Sequence, residues 1–272
     1  MKEKLRRKIR VLQNMIERFV GDHLNVLFSI NQRPTFVLGN QKSGTTAIAA
    51  LLGLATKSSV TLDIPKIENV SLTDSLFKGK INFSEFIMMN RMAFSKDIIK
   101  EPTLTFFFNE LIRFFPQSKY IFVIRDPRDN IRSILDRCAL PGNLDSLKES
   151  HLKNILPGWR KILEGEWVGN GQNYIEILAS RWNIAAEVFL KNKKHFILIR
   201  YEDFLKDRTG EIYKLAQKVG LKVKRDIRQH VNYQYQSKGK HRGISWIDFF
   251  GNNNLKKIEE ICNHYMKIFN YF

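Results

Sequence analysis

Residues 35–46 read Thr-Phe-Val-Leu-Gly-Asn-Gln-Lys-Ser-Gly-Thr-Thr, an apolar run that breaks into a glycine-bounded loop and then a pair of threonines. The run Thr35–Leu38 predicts a buried strand and Thr45–Thr56 a helix. A strand, a loop and a helix start in that order make an anion cradle, because backbone N–H groups and the helix dipole both face the loop. A triphosphate-binding loop runs G-x-x-x-x-G-K-[ST]. Gly39 and Gly44 keep that spacing and Thr46 keeps the hydroxyl position, but Thr45 stands where the lysine belongs, and Lys42 sits inside the loop instead. The group that would reach a γ-phosphate has moved. The loop is expected to bind a phosphorylated nucleotide without using it as ATP.

Two further runs, Tyr120–Ile124 and His195–Ile199, have the short β-branched and aromatic character of buried parallel strands. Helical patterns lie between and after them at Thr103–Phe115, Pro127–Cys138, Tyr174–Leu190, Gly210–Val219 and Asn254–Phe269, the last opened by an Asn cap. Alternating strands and helices imply an α/β fold, a P-loop-type parallel sheet flanked by helices on both faces, in a single domain over 31–272. Ligands in such sheets sit at the carboxyl ends of the strands. Those ends carry GNQKSGTT, RDPRD and RYED. Pro141–Trp167 and Gln229–Gly243 read as loops, the first suited to a lid or substrate loop. The Phe-rich stretch Phe83–Phe115 reads as core, with an apolar acceptor pocket as the other reading.

The chain has 272 residues and a net charge of +18. That charge favours anionic partners without choosing among nucleotides, nucleic acid, acidic glycans and membrane headgroups. Nucleic acid is not expected, since no zinc-finger spacing or aromatic RNA-binding strand occurs. Two distant cysteines, Cys138 and Cys262, and histidines without paired spacing indicate a reducing compartment and no metal site. In residues 1–30, Leu5, Ile9, Leu12, Ile16 and Phe19 recur at helical spacing among Lys4, Arg6, Arg7, Lys8 and Arg10. This predicts a basic amphipathic helical extension, whose stripe either packs on its own domain or contacts an anionic membrane through residues 1–20. With no secretory segment, a cytoplasmic location is expected, including the inner face of the membrane.

The second strand runs directly into Arg125-Asp126-Pro127-Arg128-Asp129, with Ser133 two turns into the following helix. An arginine fork beside a hydroxyl suits a dianionic phosphate. The competing readings are a loop clamp between Arg125 and Asp126 or Asp129, and a magnesium-binding strand end.

Taken in order, GNQKSGTT, then IKEP with FPQSKYIFVIRDPRDNIRSILDR, then ILIRYEDFLKD resemble the sulfotransferase family that uses 3′-phosphoadenosine 5′-phosphosulfate (PAPS). The likeness spans residues 35–250 in ordered pieces. The RDPRD, KEP and terminal FNY pieces are more similar to the tyrosylprotein and bacterial carbohydrate branches than to the small-phenol branch. The resemblance implies that PAPS is the co-substrate and 3′-phosphoadenosine 5′-phosphate (PAP) the product, with no metal. It implies that Gln41, Lys42, Ser43, Gly44, Thr45 and Thr46 hold the 5′-phosphosulfate through the N–H groups of 43–46 and the threonine hydroxyls. Lys42 would neutralise the departing phosphate, and Lys100 would stand at the donor–acceptor junction. Arg125 and Ser133 would read the 3′-phosphate, and Tyr201 would reach the adenine. Lys238–Ser245 resembles the family's Arg-Lys-Gly loop, with Arg242 and Gly243 best placed and Lys238 and Lys240 as alternatives; His241 stands where the first arginine would be. Ala47 replaces the family's adenine-stacking Trp, leaving Tyr233, Phe249 or Trp246 to stack.

Cytosolic members take their general base from a histidine shortly after the lysine that Lys100 resembles, and Glu101 or Pro102 falls there instead. Other branches use a glutamate near the segment that follows the phosphate-loop helix, which puts Asp63 first, then Glu68, then Glu101. The expected acceptor is a hydroxyl on a carbohydrate or glycolipid. Two other classes remain open on sequence: a P-loop kinase or NTPase with Asp126 at a magnesium ion, and a non-enzymatic basic module on membranes or anionic glycans.

Overall fold

The computed structural model describes residues 25, 27–64, 70–235, 239–241 and 243–272. The anticipated amphipathic stretch 1–20, together with Glu68, Lys238 and Arg242, lies outside them. Five strands, β1 (Thr35–Gly39), β2 (Val60–Thr61), β3 (Ile98–Lys100), β4 (Lys119–Ile124) and β5 (Phe196–Arg200), form one sheet in the order β2-β3-β1-β4-β5. Every pairing is parallel, with Val37 beside Lys100, Gly39 beside Val123 and Ile124 beside Arg200. All the carboxyl ends therefore lie along one edge.

The strands alternate their side chains between two cores. Val37, Ile121, Val123 and Ile199 pack against α1 (Thr45–Thr56) and the helix Arg208–Lys218. Phe36, Leu38, Phe122 and Ile124 pack on the opposite face against Pro127–Cys138, Tyr174–Lys191 and Trp246–Ile268. Burial on both faces explains why these strands read as continuous apolar runs. The chain leaves β1 toward β2 and later crosses to β4 on the other side, so the order reverses between β1 and β4, where such sheets bind ligands.

The helix starts follow local chemistry. Asp126 caps Pro127–Cys138 by accepting from Arg128 N–H at 2.9 Å, with Pro127 in the first turn. Asn173 caps Tyr174–Lys191 through the N–H groups of Ile175 and Glu176. The anticipated helix Thr103–Phe115 is a 3₁₀ segment, Pro102–Phe107, followed by an α-helix, Phe108–Phe114. The last helix begins at Trp246, not Asn254. Ser245 caps it, and Gly251 kinks it at φ 69°, ψ 167°. Asn254 lies inside, where its amide donates to the carbonyls of Gly142 (2.8 Å) and Leu144 (2.9 Å) and pins the loop beneath. The Phe-rich stretch is core: Phe36, Phe94 and Phe115 stack in a continuous cluster, and Phe108 packs on Phe196. The stretch 141–167 holds two short helices, Glu149–Leu152 and Pro157–Leu163.

Ahead of β1, Asn25 bonds Met88 and Met92, and Asn31 bonds Phe94 and Lys96, so the domain's contacts begin before residue 31. Among the described residues no helix is long and apolar enough to cross a membrane. Replacing Asn254 with Ala removes both amide bonds to buried carbonyls and is expected to cost about 1–3 kcal/mol. A urea titration reads this as a lower midpoint at unchanged slope; an unaltered midpoint would show that the loop needs no pin.

Candidate active site

Each strand end contributes one element of a single cavity of about 380 Å³. Along the sheet edge these are Asp63 after β2, Lys100 at the end of β3, Gln41–Thr46 after β1, Arg125 after β4 and Tyr201 after β5. Gln41, Lys42, Gly44, Thr45, Thr46, Asp63, Lys100, Arg125, Ser133 and Tyr201 all line it. Asp63, Lys100 and the phosphate loop therefore stand on one side, and Arg125 and Tyr201 on the other.

The loop's shape depends on two glycines and on side chains from other segments. Gly39 has φ 141°, and a Cβ there would lie 2.3 Å from the Val123 carbonyl oxygen. Thr105 completes the hydrogen bonding of Gly39: its hydroxyl accepts from Gly39 N–H at 2.9 Å and donates to Gly39 O at 3.0 Å. Gly44 has φ 96°, and a Cβ there would come within 2.2 Å of the Tyr201 ring. Lys42 takes a left-handed conformation (φ 67°), which in a non-glycine residue marks stored strain. Asn130, fully buried, donates to Gln41 O (2.8 Å) and to Ser43 Oγ (3.0 Å) and accepts from the Asn40 amide (2.9 Å). Arg125 donates to Lys42 O at 3.0 Å and lies 4.9 Å over the Tyr201 ring. The loop and the RDPRDN segment thus form one bonded unit.

Ser43 differs from the expectation. Its hydroxyl faces Asn130, and its N–H donates to Asn40 O at 3.3 Å, so it shapes the loop and does not line the cavity. Thr45 and Thr46 open α1, where a helix leaves N–H groups outside its own ladder, and both line the wall.

On the β2–β3 side, Lys100 is almost wholly buried and its ammonium donates to Asp63 at 2.5 Å, while the Asp63 side chain is 56% exposed. Glu101 is also buried, and burial holds its carboxyl above the usual range. Its oxygens accept from the N–H groups of Thr103 (2.9 Å) and Ile64 (3.3 Å), so it caps the Pro102–Phe107 turn and is committed to structure. Ile64, Leu156, Trp159, Ile162 and Trp167 also line the cavity.

On the β4–β5 side, Ser133, Arg137, Tyr233, Tyr235 and Gly239 complete the wall. Of the anticipated stacking residues only Tyr233 reaches the cavity. Trp246 lies 3.8 Å over Arg128 and bonds Asp129, and Phe249 packs on Phe250 and His241. Gly243 is exposed and off the cavity wall, whereas Gly239 is on it. His241, in the place of an arginine, pairs through Nδ1 with the buried Asp136 carboxylate at 2.5 Å. Asp126, the alternative magnesium ligand, is engaged by Arg128 at 2.7 Å and by its cap.

The sulfotransferase domain family matches residues 32–269, nearly the whole chain. The chain belongs to this sulfotransferase family. No curated protein sequence matches this sulfotransferase. Solved structures share its fold at low identity. Sulfotransferase STF9 from Mycobacterium avium has a TM-score of 0.56 at 13% identity, over 92% of this chain and 80% of that one. Mouse sulfotransferase SULT7A1, solved with PAP, has a TM-score of 0.54 at 17% identity, over 90% and 89%. STF1 from Mycobacterium tuberculosis has 0.51 at 15%, over 93% and 81%.

Sequence reasoning missed Asn130, Thr105, Arg137, Arg181 and the tryptophan wall. Asn130 left one signal: asparagine is a weak helix former, yet it occupies the first turns of an otherwise regular helix. Gly44→Ala combines a left-handed strain with a clash against Tyr201 and is expected to lower Tm by roughly 5 °C or more. Thermal unfolding at wild-type Tm would show that the loop and Tyr201 can separate freely.

Proposed function

We propose that this sulfotransferase moves a sulfuryl group from PAPS to a hydroxyl of a carbohydrate or glycolipid by in-line displacement. The observation that carries the reading is the row of side chains along one sheet edge: carboxylate, lysine, phosphate loop, arginine, tyrosine. PAPS supplies the activated sulfuryl group. The cavity suits it, because two anion cradles, the Lys42–Thr46 loop and the Arg125–Ser133 pair, are bonded to each other through Lys42 O.

In this reading the N–H groups at the start of α1 and the hydroxyls of Thr45 and Thr46 hold the 5′-phosphate. Lys42 neutralises the charge that gathers on that phosphate as its bond to sulfur breaks. Arg125 and Ser133 hold the 3′-phosphate, with Arg242 or its neighbours as a further contact, and Tyr201 and Tyr233 flank the adenine. Lys100 orients Asp63 and faces the transferring group. Asp63, the exposed member of that pair, takes the proton of the acceptor hydroxyl as its oxygen bonds to sulfur. Trp159, which lines the same cavity as that carboxylate, supports the carbohydrate assignment, since an indole face offers a sugar ring an apolar platform. Contact of residues 1–20 with an anionic membrane would bring a glycolipid acceptor to the site.

An acceptor screen with labelled PAPS, read as a mass gain of one sulfuryl group, tests the assignment. Sulfation of a glycan or glycolipid is expected, and transfer confined to small phenols would overturn the acceptor class. Asp63→Asn separates base from binding. PAP affinity should stay within about twofold while kcat falls by about 10²–10⁴, the usual worth of a general base. An undiminished kcat would move the base elsewhere.

A further inference from the structure

Arg181, in the helix Tyr174–Lys191, has no solvent exposure. Its guanidinium donates from Nε (3.3 Å) and Nη2 (2.9 Å) to Gln41 Oε1, and from Nη1 to Val168 O at 3.5 Å. One face lies 4.2 Å from the Phe106 ring. No carboxylate is among its partners in the described residues. Two other buried arginines are treated differently: Arg128 bonds Asp126 and Glu259, and Arg132 bonds Asp129. A buried cation without a counter-ion is costly, and selection for stability alone would replace it with an apolar side chain. Burial pushes the Arg181 pKa down to about 9, which still leaves it charged at neutral pH.

What the guanidinium touches gives that cost a purpose. Gln41 is a cavity residue at the head of the phosphate loop. Its side chain is clamped between Arg181 and Thr103 Oγ1 (3.4 Å), and its carbonyl accepts from Asn130. Val168 follows Trp167, another residue of the cavity wall. The next residue, Gly169, has φ 99°, and a Cβ there would lie 2.5 Å from Ile177 O and 3.2 Å from Arg181 Cβ. Only glycine lets this turn press onto the helix. One buried cation therefore holds the donor loop on one side and the Trp167 turn on the other.

We propose that Arg181 is a positioning residue of the donor site, without a counter-ion among the described residues so that the anion bound by the phosphate loop supplies the balancing charge. It fixes Gln41 and the Trp167–Val168 turn and adds a positive field from behind the loop, where low polarizability lets it reach the bound sulfate and phosphate. This rests on the reading of the cavity as the PAPS site.

The test compares wild type, Arg181→Met and Arg181→Lys by thermal unfolding without nucleotide, by PAP calorimetry and by kcat and KM for PAPS. Arg181→Met should unfold at the wild-type Tm or above. It should bind PAP about tenfold more weakly, as expected for a charge acting across one side chain. Arg181→Lys, which keeps the charge, should restore PAP affinity to within about threefold of wild type. If Arg181→Met does not fold, Arg181→Gln, neutral but still able to donate to Gln41, takes its place in the comparison. A lowered Tm with wild-type PAP affinity would make Arg181 mere mortar and overturn the proposal, as would Arg181→Lys binding no better than Arg181→Met. Wild type that fails to bind PAP would defeat the donor-site reading itself, and this inference with it.

Discussion

The parallel ladder of the sheet is the constraint on which everything else rests. Because β2, β3, β1, β4 and β5 all run the same way, each delivers the residue after its last hydrogen bond to the same edge. Strands lie about 4.8 Å apart, so five of them span roughly 19 Å. That is the scale of a nucleotide with an acceptor beyond it. Strand order then sets the order of side chains, from the Asp63 carboxylate at one side to Tyr201 at the other. Moving β3 or β4 by one place would separate Lys100 or Arg125 from the loop after β1.

On this frame the loop is held open by polar side chains from distant segments. Asn130 ties Asn40, Gln41 and Ser43 to the helix after β4, Thr105 completes Gly39, and Arg125 holds Lys42 O. These bonds are buried or partly buried and therefore costly to leave unmade. The far end of the chain reinforces the same segment. Arg128 donates to Tyr271 O, and Tyr271 donates to Glu202, which in turn accepts from Asp126 N–H. The RDPRD and RYED turns are thus locked together by the C-terminal residues, which also fixes Arg125 relative to the loop after β1.

The sequence made legible what repeats a local rule. Thr35–Leu38 and Tyr120–Ile124 are buried on both faces and read as strands; Pro127–Cys138 has its cap and its proline in place. β2 and β3 were not legible, because strands of two and three residues carry no period. The Asn254 cap was misread, because a buried asparagine that bonds a distant loop looks locally like a helix start. At the site, Lys42, Lys100, Arg125, Ser133 and Tyr201, which the family resemblance singled out, line one cavity. Ser43 turned inward and Gly243 stayed off the wall, since spacing fixes which residue is near but not which way its side chain turns. Arg181 and Trp159 were invisible, because their neighbours come from segments more than a hundred residues away in sequence or from a stretch without periodicity. His241, where the resemblance would put an arginine, pairs with Asp136, a contact that only the fold reveals.

The central claim is that the cavity grips an adenosine nucleotide by two separate phosphates without a divalent ion. Calorimetry in the presence of a chelator, comparing PAP with adenosine 5′-monophosphate, tests it most directly. PAP should bind about a hundredfold more tightly, the contribution of charged hydrogen bonds from Arg125 and its neighbours to the 3′-phosphate. Equal affinity for the two nucleotides, or binding restored only by magnesium, would contradict the account.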